Sequence, residues 1–504
     1  MLGVIGILLM ASGASVFVVA ARLPEGSGRL VGGNSPITRD PNALDIRARN
    51  SPSVVADPKN PEHLAIAARV DSPRFSCVLH LSTDGGARWV EAATPSETEG
   101  VACFAPDASF GGDGRLYFTY TSFGMVEGGG RVPNAVWVVT SSDGGRTFEP
   151  PQQASGPLAF NVRLTADPAR AKRVYLSWVQ ASGAAGFGFT GVGNPVVVSR
   201  SDDGGQTWAK PREVSNPKRL RVVAPAMATG PDGTLYAAYL DVGGDVLDYS
   251  GAHEGRGGDP YAGKWSIVVA RSSDDGETWS ESVVDAGVVP SRRFLALFPP
   301  SPSIAVDQRS GKLYIGFQDA RRGDADVVVW SSPDGRRWSS PRRVNDSKAS
   351  DGTSQYLPAL GVAPDGRLDV VYYDRRRDSR DRMNEVSLQS SFDGGVSFER
   401  RLVISDRAFD SEIGFGSDRG LVEMGSRLGL LSTREGALAV WADTRAGTRE
   451  TAKQDLARAL VAVDGPSALK EYAPLIGGAL VGVGAVATTV GARRHRRHRR
   501  RSQP

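Results

Sequence analysis

Three segments of this sequence repeat an aspartate followed two residues later by an arginine, each after a short apolar run that carries an aromatic residue. The arginines are Arg321, Arg376 and Arg445. Planar guanidinium groups bind carboxylates through paired hydrogen bonds, so this recurrence predicts a polar cup for an anionic glycan or peptide. The alternative is that each pair only locks its own loop through a local salt bridge. The candidate ligand-binding residues are Asp319, Arg321, Arg375, Arg376, Arg419, Asp443 and Arg445.

Two irregular insertions are rich in ionisable side chains. Residues 241–264 include Tyr249, and residues 405–419 include Glu412. Insertions on one face of a repeat protein often form its binding site, because loops can vary where the scaffold cannot. The acidic side chains of these loops also allow a calcium ion as a cofactor, although neither loop has the spacing of an EF-hand. No other cofactor is expected.

Several other chemistries lack the residues that they need. The chain has five histidines, and two of them, His495 and His498, lie close to the C-terminus, so no zinc motif is formed. The paired glycines fall in turns and do not form a phosphate-binding loop. The net charge of +4 comes from a C-terminal run of arginines, and the rest of the chain is slightly acidic. This distribution argues against a nucleic-acid partner.

Both ends of the chain predict export and attachment to a membrane. Residues 1–21 are apolar and end in small residues, as a signal peptide does, but they contain no lysine or arginine, so an uncleaved anchor is the alternative. Residues 472–492 form an uncharged apolar run long enough for a transmembrane helix. The basic tail, residues 493–504, then lies in the cytoplasm, with the preceding body outside the cell. This is a single-pass arrangement in the cell membrane, with lipid as one partner.

The cysteine content agrees with an oxidising compartment. Cys77 and Cys103 are the only two cysteines of the chain. Outside the cytoplasm they are predicted to pair in one disulfide. Two free buried thiols are the alternative.

The elements that position these side chains are indicated by a repeated octapeptide with the pattern Ser-x-Asp-x-Gly-x-x-Trp/Phe. Its copies follow at steps of roughly 60 residues. In a tight hairpin the aspartate accepts bonds from turn amides, the glycine supplies a positive φ, and the aromatic ring packs between sheets. A sixth, degraded copy has Pro333 at the aspartate position. The structural aspartates of the five intact copies are Asp84, Asp143, Asp203, Asp274 and Asp393.

A second repeat lies between the octapeptides. It is a short apolar strand, as in residues 116–120 and 174–178, and it occurs seven times. Together the two repeats predict an all-β propeller over residues 34–464, with seven blades favoured and six as the alternative. The seventh blade lacks a fourth strand of its own. We expect residues 45–49 to supply that strand and close the ring, because an open ring would expose two sheet edges.

The octapeptide resembles the Asp-box, or BNR, repeat of the sialidase-like β-propeller family, and the likeness runs from about Asn50 to Asp464. The last unit is also similar, with residues 416–421 leading to residues 441–445. The resemblance implies that the boxes are structural and lie on the face away from the ligand. In sialidases of this family three arginines bind the substrate carboxylate, a tyrosine paired with a glutamate is the nucleophile, and an aspartate is the acid/base. By this resemblance the catalytic candidates are Tyr249, Tyr356, Asp374 and Glu412.

Two functions follow from these residues. The first is a membrane-anchored extracellular propeller that binds a glycan, an envelope polymer or a protein. The second is a glycoside hydrolase of exo-α-sialidase type, or a related lyase, acting on anionic glycans. The Phe/Tyr-Arg-Ile-Pro motif that is typical of the family enzymes is absent, and the nearest stretch, residues 45–49, lacks both the aromatic residue and the proline. Binding is therefore the favoured interpretation, with catalysis left open.

Overall fold

The computed structural model describes residues 27–38, 46–94, 102–125, 131–181, 193–219, 221–245, 261–291, 300–416 and 424–465. These residues form strands and turns, which are organised in seven antiparallel sheets. The prediction of an all-β propeller with seven blades is confirmed, and the alternative of six blades is wrong. The predicted signal peptide (1–21), membrane helix (472–492) and basic tail (493–504) lie outside the described residues. Within the described ranges, no helix is long and apolar enough to cross a membrane.

Each of the first six blades is a sheet whose strands follow the order of the chain. The N-terminal strand is β1 (Ser27–Pro36). Blade one contains β2 (Arg49–Asp57), β3 (Asn60–Val70), β4 (Ser76–Ser82) and β5 (Val90–Glu91). Blade two contains β6 (Ala102–Phe110), β7 (Leu116–Met125), β8 (Arg131–Ser141) and β9 (Gln152–Ser155). Blade three contains β10 (Ala159–Ala166), β11 (Val174–Gln180), β12 (Val196–Ser201) and β13 (Arg212–Glu213).

The remaining blades repeat this order, with one additional short strand. Blade four contains β14 (Val222–Thr229), β15 (Leu235–Asp241), β16 (Trp265–Ser272) and β17 (Ser280–Val288). Blade five contains β18 (Ser303–Val306), β19 (Leu313–Asp319), β20 (Asp326–Ser332) and β21 (Arg342–Arg343). Blade six contains β22 (Gln355–Val362), β23 (Leu368–Asp374), β24 (Met383–Ser391), β25 (Leu402–Val403) and β26 (Phe409–Asp410). Blade seven contains β27 (Gly429–Ser432), β28 (Gly436–Asp443) and β29 (Asp455–Asp464).

The first strands of the seven blades line the centre of the ring. Each of β2, β6, β10, β14, β18, β22 and β27 contacts the next one, and β27 contacts β2 again, so the ring is closed. The octapeptide turns join third to fourth strands, on the same face as the turns that join first to second strands. The first strands begin on the opposite face, which is called the ring mouth below. Side chains from all blades can therefore meet there.

The N-terminal strand completes blade seven. Strand β1 pairs with β29 as the fourth strand of the sheet, and next to it the amide of Ile37 donates to the carbonyl of Leu456 at 2.8 Å. The prediction that residues 45–49 supply this strand is therefore wrong. Ala48 forms only a parallel bridge with Gln454, because the chain at this point already enters the first strand of blade one.

The octapeptides form hairpin turns that are tied by their own side chains. In blade two the hydroxyl of Ser141 donates to Asp143 and accepts the amide of Gly145, both at 2.8 Å. Asp143 accepts the hydroxyl and the amide of Thr147 at 2.6 and 2.9 Å, and these bonds lower the pKa of Asp143. The same serine–aspartate turn is formed around Asp84, Asp203, Asp274 and Asp393.

The degraded copy in blade five keeps this turn in spite of Pro333. Asp334, one residue after Pro333, takes the role of the box aspartate and accepts two turn amides. The hydroxyl of Ser332 takes the role of the box serine and accepts the amide of Gly335 at 2.8 Å. Gly335 has a φ of +69°, and a Cβ atom there would lie 2.7 Å from the ring of Tyr236 in the preceding blade. Glycine is therefore required both by the turn and by the packing between neighbouring blades.

Candidate functional site

The aspartate–arginine element of blade five is closed on itself. Asp319 accepts the amide of Arg321 at 2.9 Å and its Nε at 2.5 Å, and Asp285 accepts an Nη2 hydrogen at 2.8 Å. Burial opposes the charged form of Arg321, but the two carboxylates outweigh burial and raise the pKa of Arg321. Burial also raises the pKa of Asp319. The pair therefore holds the turn that follows β19.

The element of blade six is bound in the same way. Nε of Arg376 lies 2.8 Å from Oδ2 of Asp374, and Asp346 binds its other side. Burial opposes the charged form of Arg376, but Asp374 and the other neighbouring groups raise its pKa. Asp374 is fully buried and is also bound by Arg401 at 3.1 Å. Its carboxylate is therefore enclosed by arginines of its own blade, a poor position for a catalytic acid.

Blade seven repeats the arrangement. Asp443 accepts the amide of Arg445 at 2.9 Å and its Nε at 2.9 and 2.7 Å, and Asp406 also pairs with this arginine. Burial raises the pKa of Asp443 to about 6, and Asp455, which faces it on β29, adds to the rise. Burial lowers the pKa of Arg445. In all three blades the arginine is thus bound by the aspartate two residues before it. This agrees with the alternative in which each pair locks its own loop through a local salt bridge.

Arg375 is a support of the fold. Its side chain is buried, and its Nε donates to Oδ1 of Asn384 at 2.9 Å. Its two Nη atoms donate to the hydroxyls of Tyr356 and Ser411 at 3.1 and 2.7 Å and to the carbonyl of Asp381 at 2.7 Å. The residue therefore ties blade six to the 405–419 insertion.

The catalytic candidates are not brought together. Tyr356 is fully buried, its hydroxyl donates to Asn384 at 3.1 Å, and burial raises its pKa. Glu412 is exposed and pairs with Arg382, at 3.7 Å, and with Arg449. No Tyr356–Glu412 pair is formed. Two other sequence candidates, Tyr249 and Arg419, lie outside the described residues.

A tyrosine–glutamate pair that the sequence analysis missed lies in blade four. The hydroxyl of Tyr239 donates to Glu281, which Arg219 also binds at 3.0 Å. Tyr239 is fully buried, and burial together with the hydrogen bond to Glu281 raises its pKa. A nucleophile needs the opposite shift. Glu281 lies on β17, the outermost strand of blade four, so this pair ties β15 to the outer edge of its blade and lies away from the central strands.

Four charged residues from different blades lie close together at the centre and are called the ring-mouth cluster below: Arg69, Asp107, Arg163 and Arg427. Arg427 precedes β27; its Nε donates to the carbonyl of Ser51 at 3.0 Å, and its Nη2 lies 3.6 Å from Oδ1 of Asp107. Nη1 of Arg427 is buried and has no hydrogen-bond partner among the described residues. The cluster therefore offers donors that the fold itself does not use.

Arg163 has still fewer partners. Its side chain is partly exposed, and its one hydrogen bond within the described part of the chain goes from Nη2 to the hydroxyl of Ser301 at 3.1 Å. Burial, followed by the repulsion of Arg427, lowers the pKa of Arg163 to about 9. Burial likewise lowers the pKa of Arg427, and Arg69 adds to this effect. The guanidinium groups remain charged at neutral pH, so they repel one another across the cluster.

Two carboxylates balance part of this charge. Arg69 pairs with Asp71 through Nε at 2.6 Å and Nη2 at 2.9 Å. Oδ2 of Asp107 accepts the amide of Leu164 at 3.1 Å, which fixes the carboxylate between blades two and three. Three guanidinium groups therefore face two carboxylates. An anion entering the cluster would relieve the remaining repulsion and satisfy the unused N–H groups.

A bulge in the first strands positions the cluster. Asp107, Arg163 and Arg427 each lie two residues after a residue of positive φ. For Asp107 and Arg163 the register of the first strand shifts at this point. The equivalent residues of the other blades are small and uncharged: Ser53, Ala226, Ser303 and Ala359. An X-Pro dipeptide marks this bulge in some blades, as in Ser51-Pro52 and Ala105-Pro106, and could have identified Asp107, but the segments before Arg163 and Arg427 lack the proline.

A disulfide joins blades one and two beside the cluster. Cys77 and Cys103 are bonded, with their Cα atoms 5.6 Å apart, and neither is a free thiol. Cys77 lies opposite Arg69 in the register of β3 and β4. The bond therefore connects the strand next to Arg69 with the strand that carries Asp107.

In the described ranges no three histidine, cysteine, aspartate or glutamate side chains are grouped as they would be around a metal ion. Calcium at the acidic loops stays a prediction. In the described part of residues 405–419, acidic side chains lie against arginines, as with Asp410 and Arg382 at 3.6 Å.

Comparisons with known proteins give distant similarities. No protein-family model matches the chain. A protein of unknown function from Dyadobacter fermentans is 15% identical, with 86% of this chain and 99% of that chain covered and a TM-score of 0.45. The Hadza microbial sialidase Hz136 is 16% identical, with coverages of 78% and 73% and a TM-score of 0.44. A polysaccharide lyase described as an ulvan lyase is 13% identical, with coverages of 87% and 97% and a TM-score of 0.47.

Proposed function

We propose that this chain is an extracellular, membrane-anchored propeller that binds an acidic glycan or envelope polymer at its ring mouth. The observation that carries the proposal is the ring-mouth cluster, in which three arginines from blades one, three and seven surround Asp107 with donors left over. Carboxylate and sulfate groups match the fork of a guanidinium group. A site built from several arginines on rigid strands favours a ligand with more than one charge.

Binding without cleavage is favoured by the surroundings of the cluster. Of the catalytic candidates, Tyr356 is buried against Arg375 and Asp374 is enclosed by Arg376 and Arg401. In the described ranges Tyr239 does pair with a glutamate, but its pKa is raised, and its partner Glu281 lies on the outermost strand of blade four. Hydrolysis of the sialidase type needs a tyrosine activated by a carboxylate next to the arginines.

Acidic polymers are expected to bind the purified full chain, and neutral ones are not. In titrations with polygalacturonate, hyaluronate and dextran, the first two should bind and dextran should not. Affinity should fall as sodium chloride is raised, because salt screens the attraction between partly exposed charges. Arg337→Gln is the matched control, since it removes one charge from a side chain that is 89% exposed on the opposite face. Equal binding of dextran, or binding that salt leaves unchanged, would contradict the proposal.

The hydrolase and lyase alternatives are tested with the same preparation. A fluorogenic sialoside reports exo-α-sialidase activity, and absorbance from an unsaturated uronate product reports lyase activity. Sustained turnover that disappears in Arg163→Gln would replace the binding proposal by the enzymatic one. Binding in the absence of turnover on either substrate supports the proposal as stated.

The anchor is part of the same proposal and rests on the apolar run 472–492 followed by the basic tail 493–504. Extraction of membranes with alkaline carbonate releases peripheral proteins and retains spanning ones. The full chain should stay in the membrane pellet, and a chain ending at residue 471 should be released. Release of the full chain would exclude the anchor without bearing on the ring-mouth site.

A further inference from the structure

Three phenylalanines meet beside the ring mouth although they come from distant parts of the chain. The ring centroids of Phe75 and Phe104 are 4.8 Å apart, and those of Phe75 and Phe415 are 5.1 Å apart. Phe75 precedes β4 in blade one, Phe104 lies on β6 in blade two, and Phe415 belongs to the 405–419 insertion. All three are partly exposed. They therefore form a small apolar surface that is only partly covered, of the kind that often marks a ligand groove.

The phenylalanines border the ring-mouth cluster. Phe104 and Asp107 lie three residues apart on the same strand, a distance of about 10 Å at most. Phe75 lies four residues after Asp71, the residue that binds Arg69 at 2.6 Å. A ligand held by the arginines would therefore reach the aromatic rings within the length of one or two sugar units.

The aromatic rings are held in place by the same disulfide that braces the cluster. Cys77 lies two residues after Phe75, and Cys103 directly precedes Phe104. The amide of Cys103 also donates to the carbonyl of Phe75 at 3.4 Å. The two blades therefore present their phenylalanines as one braced surface, and preorganisation of this kind lowers the entropy cost of binding.

We propose that Phe75, Phe104 and Phe415 form an aromatic platform that packs against a sugar ring of the acidic glycan whose charged group is held by the ring-mouth arginines. This inference rests on the proposed function and narrows its ligand. A pyranose ring has an apolar face of C–H bonds, whose positive hydrogens suit the negative face of an aromatic ring. A flexible aliphatic polyanion has the charge but no such face. The ligand class is therefore an acidic saccharide such as a uronate oligomer, in preference to an acidic peptide.

The test compares two probes of similar charge, oligogalacturonate and polyglutamate, on the full chain. Phe415→Leu keeps an apolar side chain and removes the ring. It should weaken binding of oligogalacturonate about three- to tenfold, the effect of one aromatic contact, and leave polyglutamate unchanged. The sugar-ring protons of oligogalacturonate should also shift upfield in NMR spectra on binding, and this shift should shrink in the variant. Phe148→Leu, in a box turn on the opposite face, is the matched control and should change neither probe.

The outcomes separate this inference from the proposed function. If the unmodified chain binds neither probe, the proposed function fails. If it binds both probes but Phe415→Leu weakens neither, or weakens both alike, the platform is wrong and the anion site stands. Phe104→Leu is the second variant, used if Phe415→Leu does not fold, and the same pattern is expected of it.

Discussion

Arg163→Gln is expected to lower the affinity for polygalacturonate by at least about tenfold, because a lost hydrogen bond to a charged group costs about 1.5–3 kcal/mol. Within the described residues Arg163 makes one hydrogen bond, to Ser301. Its other N–H groups are therefore open to a ligand. Titration of the variant and of the control Arg337→Gln under the same salt conditions measures the effect.

The same substitution should not destabilise the protein. The pKa of Arg163 is lower in the folded chain than its ordinary value, so the charged form is disfavoured by folding. A neutral glutamine removes that penalty and keeps a donor for Ser301. The melting temperature should therefore stay the same or rise. A fall in melting temperature with unchanged affinity would mean that Arg163 is a structural residue, and the ring-mouth site would be excluded.

Arg375→Met is the opposite case and should cost about 3–5 kcal/mol of stability, the range for breaking a buried charged network. The guanidinium group donates to Asn384, Tyr356, Ser411 and a backbone carbonyl, all in the interior. A methionine of similar length would remove all four of these donated bonds, leaving Asn384 only the hydroxyl of Tyr356, and each buried group that loses its partner is costly. The urea midpoint should fall strongly, while protein that remains folded should bind polygalacturonate as before.

The control for this prediction is Arg377→Met, two residues further along the chain. Arg377 is 69% exposed and pairs with Glu385 at 3.0 Å. Solvent screens the charge of Arg377, and the buried Glu385 keeps its pair with Arg401 at 3.2 Å, so the midpoint should fall far less than in Arg375→Met. If Arg375→Met lost affinity without losing stability, the assignment of Arg375 to the scaffold would be wrong, and blade six would have to be part of the binding site.

The architecture could be predicted because its signals are repeated. The serine and aspartate of each box make local bonds that every hairpin needs, so their spacing marks the blades in the sequence. The closing strand could not be found in this way. Residues 27–36 read SGRLVGGNSP, with three glycines and no alternation of apolar and polar residues, and they pair with β29 only because the ring leaves that edge open.

The candidate site was harder to predict for a related reason. The aspartate–arginine elements attracted attention because they recur, but recurrence in three blades reflects a shared structural task, that of locking a loop. Three of the four ring-mouth residues lie at one equivalent position, two residues after a residue of positive φ, where the residue type changes from blade to blade. Asp107, Arg163 and Arg427 stand where other blades have serine or alanine. In a repeat fold such departures, on the face that carries variable loops, indicate function better than the repeats do.

Asp107→Asn tests the proposed anion site at the ring mouth most directly, because such a site predicts that this substitution raises the affinity for an anion. The carboxylate of Asp107 lies 3.6 Å from Nη2 of Arg427 and would repel an incoming anion. Asparagine keeps an oxygen for the amide of Leu164 and removes the charge. A charge interaction at about 4 Å is worth about 1 kcal/mol even in water, so isothermal titration should show polygalacturonate binding about fivefold tighter or more. Unchanged or weaker binding by the folded variant would contradict an anion site at the ring mouth.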